Sequence, residues 1–214
     1  MQVLKGKARQ RIMESALAEF QEKGFQNASM RCIAKNAGFA VGNIYNYFRD
    51  KNELFFSVME PITQPLNDYI EKMIEKIKDD MFTDRESWSL KKHRDRAGEV
   101  ALFIHENRLL LEILVFKSHG SCLETYTDDV IEKYTDMSMV FLKRAGEFFP
   151  TVRTDVSRFT VHSINSIMVT YLIELLMHKV PYKKMVTYMD EIMIFMYYGW
   201  QAVMDCDFEK LIEK

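Results

Sequence analysis

Apolar residues recur along this chain at helical rather than strand spacing. Ile12, Met13, Ala16, Leu17 and Phe20 fall at i, i+1, i+4, i+5 and i+8, one stripe of a helix, with Arg9, Glu14, Gln21 and Lys23 outside it. Gly24 followed by Phe25 predicts its end, as a left-handed cap with an apolar residue just beyond. A short second helix is predicted from an N-cap at Ser29 through Ile33 and Ala34 to Ala37-Gly38. A third spans about 41–48, and Asp50-Lys51-Asn52-Glu53 resembles a capping box opening a fourth. Three helices in about 50 residues, with a glycine-containing turn between the second and third, have helix-turn-helix spacing.

Further along, Ile62, Leu66, Tyr69, Met73 and Ile77 line one face of the fourth helix, which Pro61 and Pro65 are expected to bend or interrupt. Breakers at Ser118-His119-Gly120-Ser121, Pro150 and Pro181 divide the rest into helices over about 85–106, 108–117, 122–148, 154–178 and 182–212. No alternating segment predicts a strand. The expected fold class is all-α: an amino-terminal three-helix helix-turn-helix domain over 1–51 and a larger helical bundle over 52–214.

Composition agrees with a globular chain. Of 214 residues, 48 % are hydrophobic and 28 % charged, and eight Gly and four Pro leave few helix breakers. Cys32, Cys122 and Cys206 show no paired spacing, which reads as a reduced, cytoplasmic protein. The basic residues Lys5, Lys7, Arg9 and Arg11 precede no apolar signal-peptide core, and the most apolar stretches, 166–177 and 192–200, are too short to predict a membrane span. The net charge of −2 hides an asymmetry: residues 1–51 hold nine bases and four acids, the remainder 20 bases and 27 acids. A basic head on an acidic body is the footprint expected when only the head approaches phosphate.

The segment Gly24-Phe25 … Ser29-Met30-Arg31-Cys32-Ile33-Ala34 … Ala37-Gly38-Phe39-Ala40-Val41-Gly42-Asn43-Ile44-Tyr45-Asn46-Tyr47-Phe48-Arg49-Asp50-Lys51-Asn52-Glu53-Leu54 resembles the DNA-binding signature of the TetR family. That resemblance covers the first quarter of the chain in motif, and the rest in length and helix pattern. It implies a transcriptional regulator that binds a palindromic double-stranded DNA operator as a homodimer, most often a repressor, released by a small-molecule effector in the body. It also implies Tyr45, Tyr47 and Lys51 at phosphates and Val41, Gly42 and Asn43 near base edges. Two departures stand out. Ala40 occupies the usual Ser/Thr cap of the recognition helix, and Cys32 replaces the acid that would close a capping box with Ser29.

Side-chain chemistry supports the same surface independently. Ile44 and Phe48 share the core face of the third helix, while Gly42, Asn43, Asn46 and Tyr47 occupy the opposite arc. Asn pairs with adenine, glycine permits close backbone approach, and a tyrosine hydroxyl donates to phosphate. Ser29 and Arg31, at the start of the second helix, complete the candidate DNA set. For three of its members a plainer role stays open: Tyr45 as a structural tyrosine, Lys51 as a solvated cap, Arg31 facing water.

In the body, Met185, Met189, Ile192, Met196, Gly199 and Val203 step by four and three, a heptad-like seam on a helix apolar all round over 192–200. Ile164, Met168, Tyr171 and Leu175 offer a matching stripe on the preceding helix. Family resemblance implies a dimer interface from these two helices, the alternative being burial within the monomer. His105, Tyr126, Tyr134, His162 and Asn165 are polar groups near apolar faces and are the candidate effector contacts. No cofactor or metal is expected. Nor is an enzyme, since His105-Glu106 lacks a second histidine at 109, where Leu109 stands, and Cys122 with His119 has no spaced partners. The alternative function is a helical small-molecule-binding or interaction protein that keeps the fold without regulating transcription.

Overall fold

A computed structural model describes residues 2–79 and 89–212. Ten helices and no strand occur among them: α1 (Gln2–Asn27), α2 (Met30–Ala37), α3 (Val41–Ile44), α4 (Lys51–Asp79), α5 (Leu90–Glu106), α6 (Arg108–Phe116), α7 (Tyr126–Phe148), α8 (Arg158–Met177), α9 (Tyr182–Val203) and α10 (Phe208–Ile212). The predicted start of a helix at 85 lies outside the described residues. Two compact units result, one formed by the chain up to Leu66 with Leu109–Thr127, the other by Asn67–Arg108 with the chain from Asp128 onward. The first unit thus adds the first half of α4 and most of α6 to the three amino-terminal helices of the head.

In the first unit the predicted stripe becomes the core. Ile12, Ala16 and Phe20 of α1, Ile33 and Ala34 of α2, and Leu54 and Phe55 of α4 are all at most 1 % exposed. Phe55 meets Phe20 and Phe25 edge-on, with ring centroids 4.9 and 5.1 Å away. α1 breaks at Gly24, but with φ 70° and ψ 167° rather than the left-handed helical values expected. That region is open essentially to glycine alone. The break releases the Phe25 N–H to donate to the Lys117 carbonyl at the end of α6, 2.8 Å away.

α2 ends on Gly38, at φ 75° and ψ 33°, as the sequence predicts. A Cβ on Gly38 would also lie 2.8 Å from Nη2 of Arg11, whose flexible tip can move aside. Gly38→Ala is therefore expected to cost about 1–2 kcal/mol, mainly through the left-handed backbone, measured as a lower urea midpoint with an unchanged m-value.

α4 runs without interruption through Pro61 and Pro65, so of the bend or interruption expected there the interruption does not occur. The hydroxyl of Thr63 bonds the Met59 carbonyl, 3.4 Å away, and Ile62 is fully buried, so packing holds the helix across both prolines. The second unit has its own core of Ile77, Leu142, Ala145, Val152, Val156, Val161, Tyr197, Met204 and Phe208. α5 and α9 pack along each other, fixed by a two-pronged Arg94–Asp190 pair at 2.6 and 2.9 Å. The helix expected over 182–212 is instead two, because Asp205 adopts φ 49° and turns the chain so that α10 folds back, placing Phe208 against the Tyr197 ring.

Candidate nucleic-acid interface

α3 presents the surface expected of a recognition element, but it is shorter than the sequence predicts. Regular helix covers only Val41–Ile44, followed by tight turns in which Tyr47 and Phe48 donate to the Ile44 carbonyl at 2.8 and 3.1 Å. Ala40 supplies no side-chain cap, and Gly42, Asn43 and Asn46 are weak helix formers, so nothing local extends the helix. What holds it is burial: Ile44 is 0 % and Phe48 1 % exposed.

Opposite these anchors, Gly42, Asn43, Tyr45 and Asn46 are exposed and Val41 and Tyr47 half-buried. A Cβ on Gly42 would meet nothing within 4 Å, so packing inside the protein does not require glycine there. Among the described residues neither Asn43 nor Asn46 uses its side-chain amide in a hydrogen bond, leaving both free for an outside partner. Tyr45 is 51 % exposed, which argues against a purely structural ring.

α2 is fastened in a way the sequence conceals. The Ser29 hydroxyl accepts from the Cys32 N–H at 3.5 Å, and the Ser29 N–H donates to Oε1 of Glu19 at 3.0 Å. The acid missing at position 32 is thus replaced by the buried carboxylate of Glu19 from α1, ten residues before Ser29, a pairing without local spacing to reveal it. Arg31 is exposed at the first turn of α2.

Lys51 departs from expectation. Its ammonium donates to the carbonyls of Phe25, Gln26 and Ala28 at 2.7, 3.2 and 3.2 Å and lies 4.5 Å from the Phe25 ring centroid. An ammonium has three N–H donors, so in this structure all three are engaged with the carbonyls at and just beyond the end of α1. Partial burial also pulls the Lys51 pKa below the ordinary lysine value. Asp50 does cap α4 as predicted, accepting from the Glu53 N–H at 2.8 Å, while the Glu53 carboxylate reaches Arg49 N–H at 2.6 Å. The Glu53 N–H first, and then Arg49, hold the Asp50 carboxyl below its usual pKa.

In the body, three candidate effector contacts gather along the α7–α8 seam. Nδ1 of His162 lies 3.0 Å from Glu132, Asn165 donates to Ser138 Oγ at 3.3 Å, and Ser138 in turn donates to the Tyr134 carbonyl at 2.8 Å. His105 is apart from them, exposed and stacked on Tyr182 at 4.8 Å. Tyr126 belongs to the first unit, buried, with its hydroxyl donating to the Thr63 carbonyl at 3.2 Å.

The partner-facing stripes require correction. Met189 and Leu175 are 0 and 3 % exposed within the chain itself, as is Met185 at 0 %, so they have no surface to offer. On a helix apolar all round, spacing alone cannot say which side faces inward, and the seam chosen begins on the inner side. Ile164, Met168, Tyr171, Ile192, Met196, Gly199 and Val203 are half-buried, and Tyr171 donates to the Tyr188 carbonyl at 2.8 Å, tying α8 to α9. The bare apolar groups lie off the chosen stripes: Phe195 and Tyr198 within the all-round apolar segment 192–200, and Phe159 and Ile167 on α8, between 55 and 80 % exposed. α8 is long and apolar enough, by length and composition only, to cross a membrane, and just 17 % of its most apolar window is buried.

A short recognition element carried on a three-helix head, joined to a helical body, defines a helix-turn-helix regulator. The sequence profile of bacterial regulatory proteins, tetR family, matches residues 12–58. An HTH-type transcriptional regulator of Staphylococcus aureus is 30 % identical over 148 residues, 69 % of this chain and 74 % of that protein. This chain belongs to the TetR family of transcriptional regulators. Its fold resembles that of NalD, the secondary repressor of the MexAB-OprM multidrug efflux pump in Pseudomonas aeruginosa (TM-score 0.64, 18 % identity, covering 88 % of this chain and 96 % of NalD). It also resembles FadR from Bacillus subtilis, solved in complex with stearoyl-CoA (0.60, 16 %, 89 and 98 %).

Proposed function

We propose that this regulator is a repressor that binds a palindromic operator as a homodimer and is released by a small molecule held in its helical body. The observation that carries the DNA reading is the α3 surface, where exposed Gly42, Asn43 and Asn46 stand on the buried anchors Ile44 and Phe48. Asn43 serves base choice, and Tyr45 and Tyr47 fix the docking through phosphate. Homodimerisation is supported by the apolar surface that α8 and α9 leave bare, since single soluble chains rarely expose large contiguous apolar patches. An effector with substantial apolar surface is supported by a body rich in Met and aromatic residues and by the acyl-CoA bound to FadR of B. subtilis.

Footprinting the purified protein on the DNA flanking its own gene, with and without long-chain acyl compounds, tests the whole. A protected two-fold sequence whose protection is lost with a ligand supports it; no protected sequence would overturn the repressor assignment. Asn43→Ala is expected to narrow the operator-to-random affinity ratio by about 1–3 kcal/mol per half-site while leaving the salt dependence intact, as measured by anisotropy titration.

A further inference from the structure

Several cations of the head are engaged within the chain, while Arg31 and Lys35 on α2 stand exposed. Lys51 is bound to three carbonyls, Lys23 pairs with Glu22 at 2.5 Å and Arg49 with Asp50 at 3.1 Å. Arg9 donates to Ser57 Oγ at 3.2 Å and lies 5.1 Å from the Phe48 ring centroid. Arg11 is different. Its guanidinium sits 5.3 Å from the Phe39 ring centroid, and among the described residues it makes no hydrogen bond or ion pair, although it is exposed. Its Nη2 fills the space beside Gly38 where any other residue would carry a Cβ.

A guanidinium resting on an aromatic face keeps its fork of N–H donors free at the edge, with less freedom to lose on binding than a free side chain. Gly38 and Phe39 immediately precede Ala40, the first residue of the turn into α3. The cation is therefore anchored to the same stretch of backbone that delivers Gly42 and Asn43. We propose that Arg11, held on Phe39 beside Gly38, is a phosphate-clamping residue of the DNA interface and takes the duty that the family motif assigns to Lys51. This rests on the DNA-binding reading above and adds to it a contact from α1, outside the recognition motif. The fork geometry suits two-point recognition of one phosphate group, which a lysine cannot reproduce.

The test is a salt titration of the full-length protein on two duplexes: the footprinted sequence from beside its own gene and a scrambled duplex of equal length. Arg11→Ala and Arg11→Gln are each expected to weaken binding to both and to make the log–log salt slope shallower by about 0.9 per half-site, because one fewer counterion is released. Arg11→Lys should keep the slope and lose affinity several-fold. Melting temperatures of all three should match the wild type. Wild-type slopes in both Arg11→Ala and Arg11→Gln would overturn the assignment, as would a slope loss seen only with the footprinted duplex. A wild-type protein that binds neither duplex would overturn the DNA reading itself, and Arg11's role with it.

Discussion

Glutamate at both Phe195 and Ile167 is expected to leave this protein a folded monomer with little operator affinity. Both side chains are exposed in the single chain, 64 and 55 %, so a charge there costs the subunit little and its helicity should persist. In a dimer built on α8 and α9 the same charges would be desolvated against apolar surface. At an interface centre, losing one large apolar anchor typically costs 2 kcal/mol or more. Two such losses weaken association by about a thousandfold or more, if they add. Sedimentation velocity at micromolar concentration reads the outcome, with circular dichroism as the control for folding. A variant that sediments as the wild type does would place the partner surface elsewhere.

Lys51→Met is expected to lower stability rather than to alter DNA docking directly. The substitution keeps the aliphatic stem and deletes the ammonium that joins the start of α4 to the carbonyls of Phe25, Gln26 and Ala28. A hydrogen bond to a charged group contributes about 1.5–3 kcal/mol when well buried. Here water can replace part of the loss, since Lys51 is only half-buried, so a total of about 1–3 kcal/mol is expected. For a chain of this size that is a fall of about 2–4 °C in melting temperature per kcal/mol. Affinity measured well below the transition should keep the wild-type salt slope, whereas a phosphate-contacting lysine would give a shallower one. A shallower slope with an unchanged melting temperature would restore Lys51 to the phosphates.

The sequence by itself determined the class of the fold and the location of the helix-turn-helix segment. Helical periodicity, the caps Ser29 and Asp50, the stops at Gly24 and Gly38, and the anchors Ile44 and Phe48 are local features whose consequences fall within a turn or two of the residues that cause them. Tertiary structure decided what depends on partners distant in the chain. Glu19 closing the α2 cap, Lys51 spending its charge on α1, and Arg11 stacking on Phe39 all join residues brought together by packing. The continuity of α4 through two prolines was settled in the same way, by burial of Ile62 rather than by propensity. The inner and outer faces of α9 were equally hidden. Where residues 192–200 are apolar on every side, only packing in the folded chain shows that Tyr197 turns inward and Phe195 and Tyr198 outward. A charge or an apolar side chain is named by sequence, but its role is set by which neighbours have already claimed it.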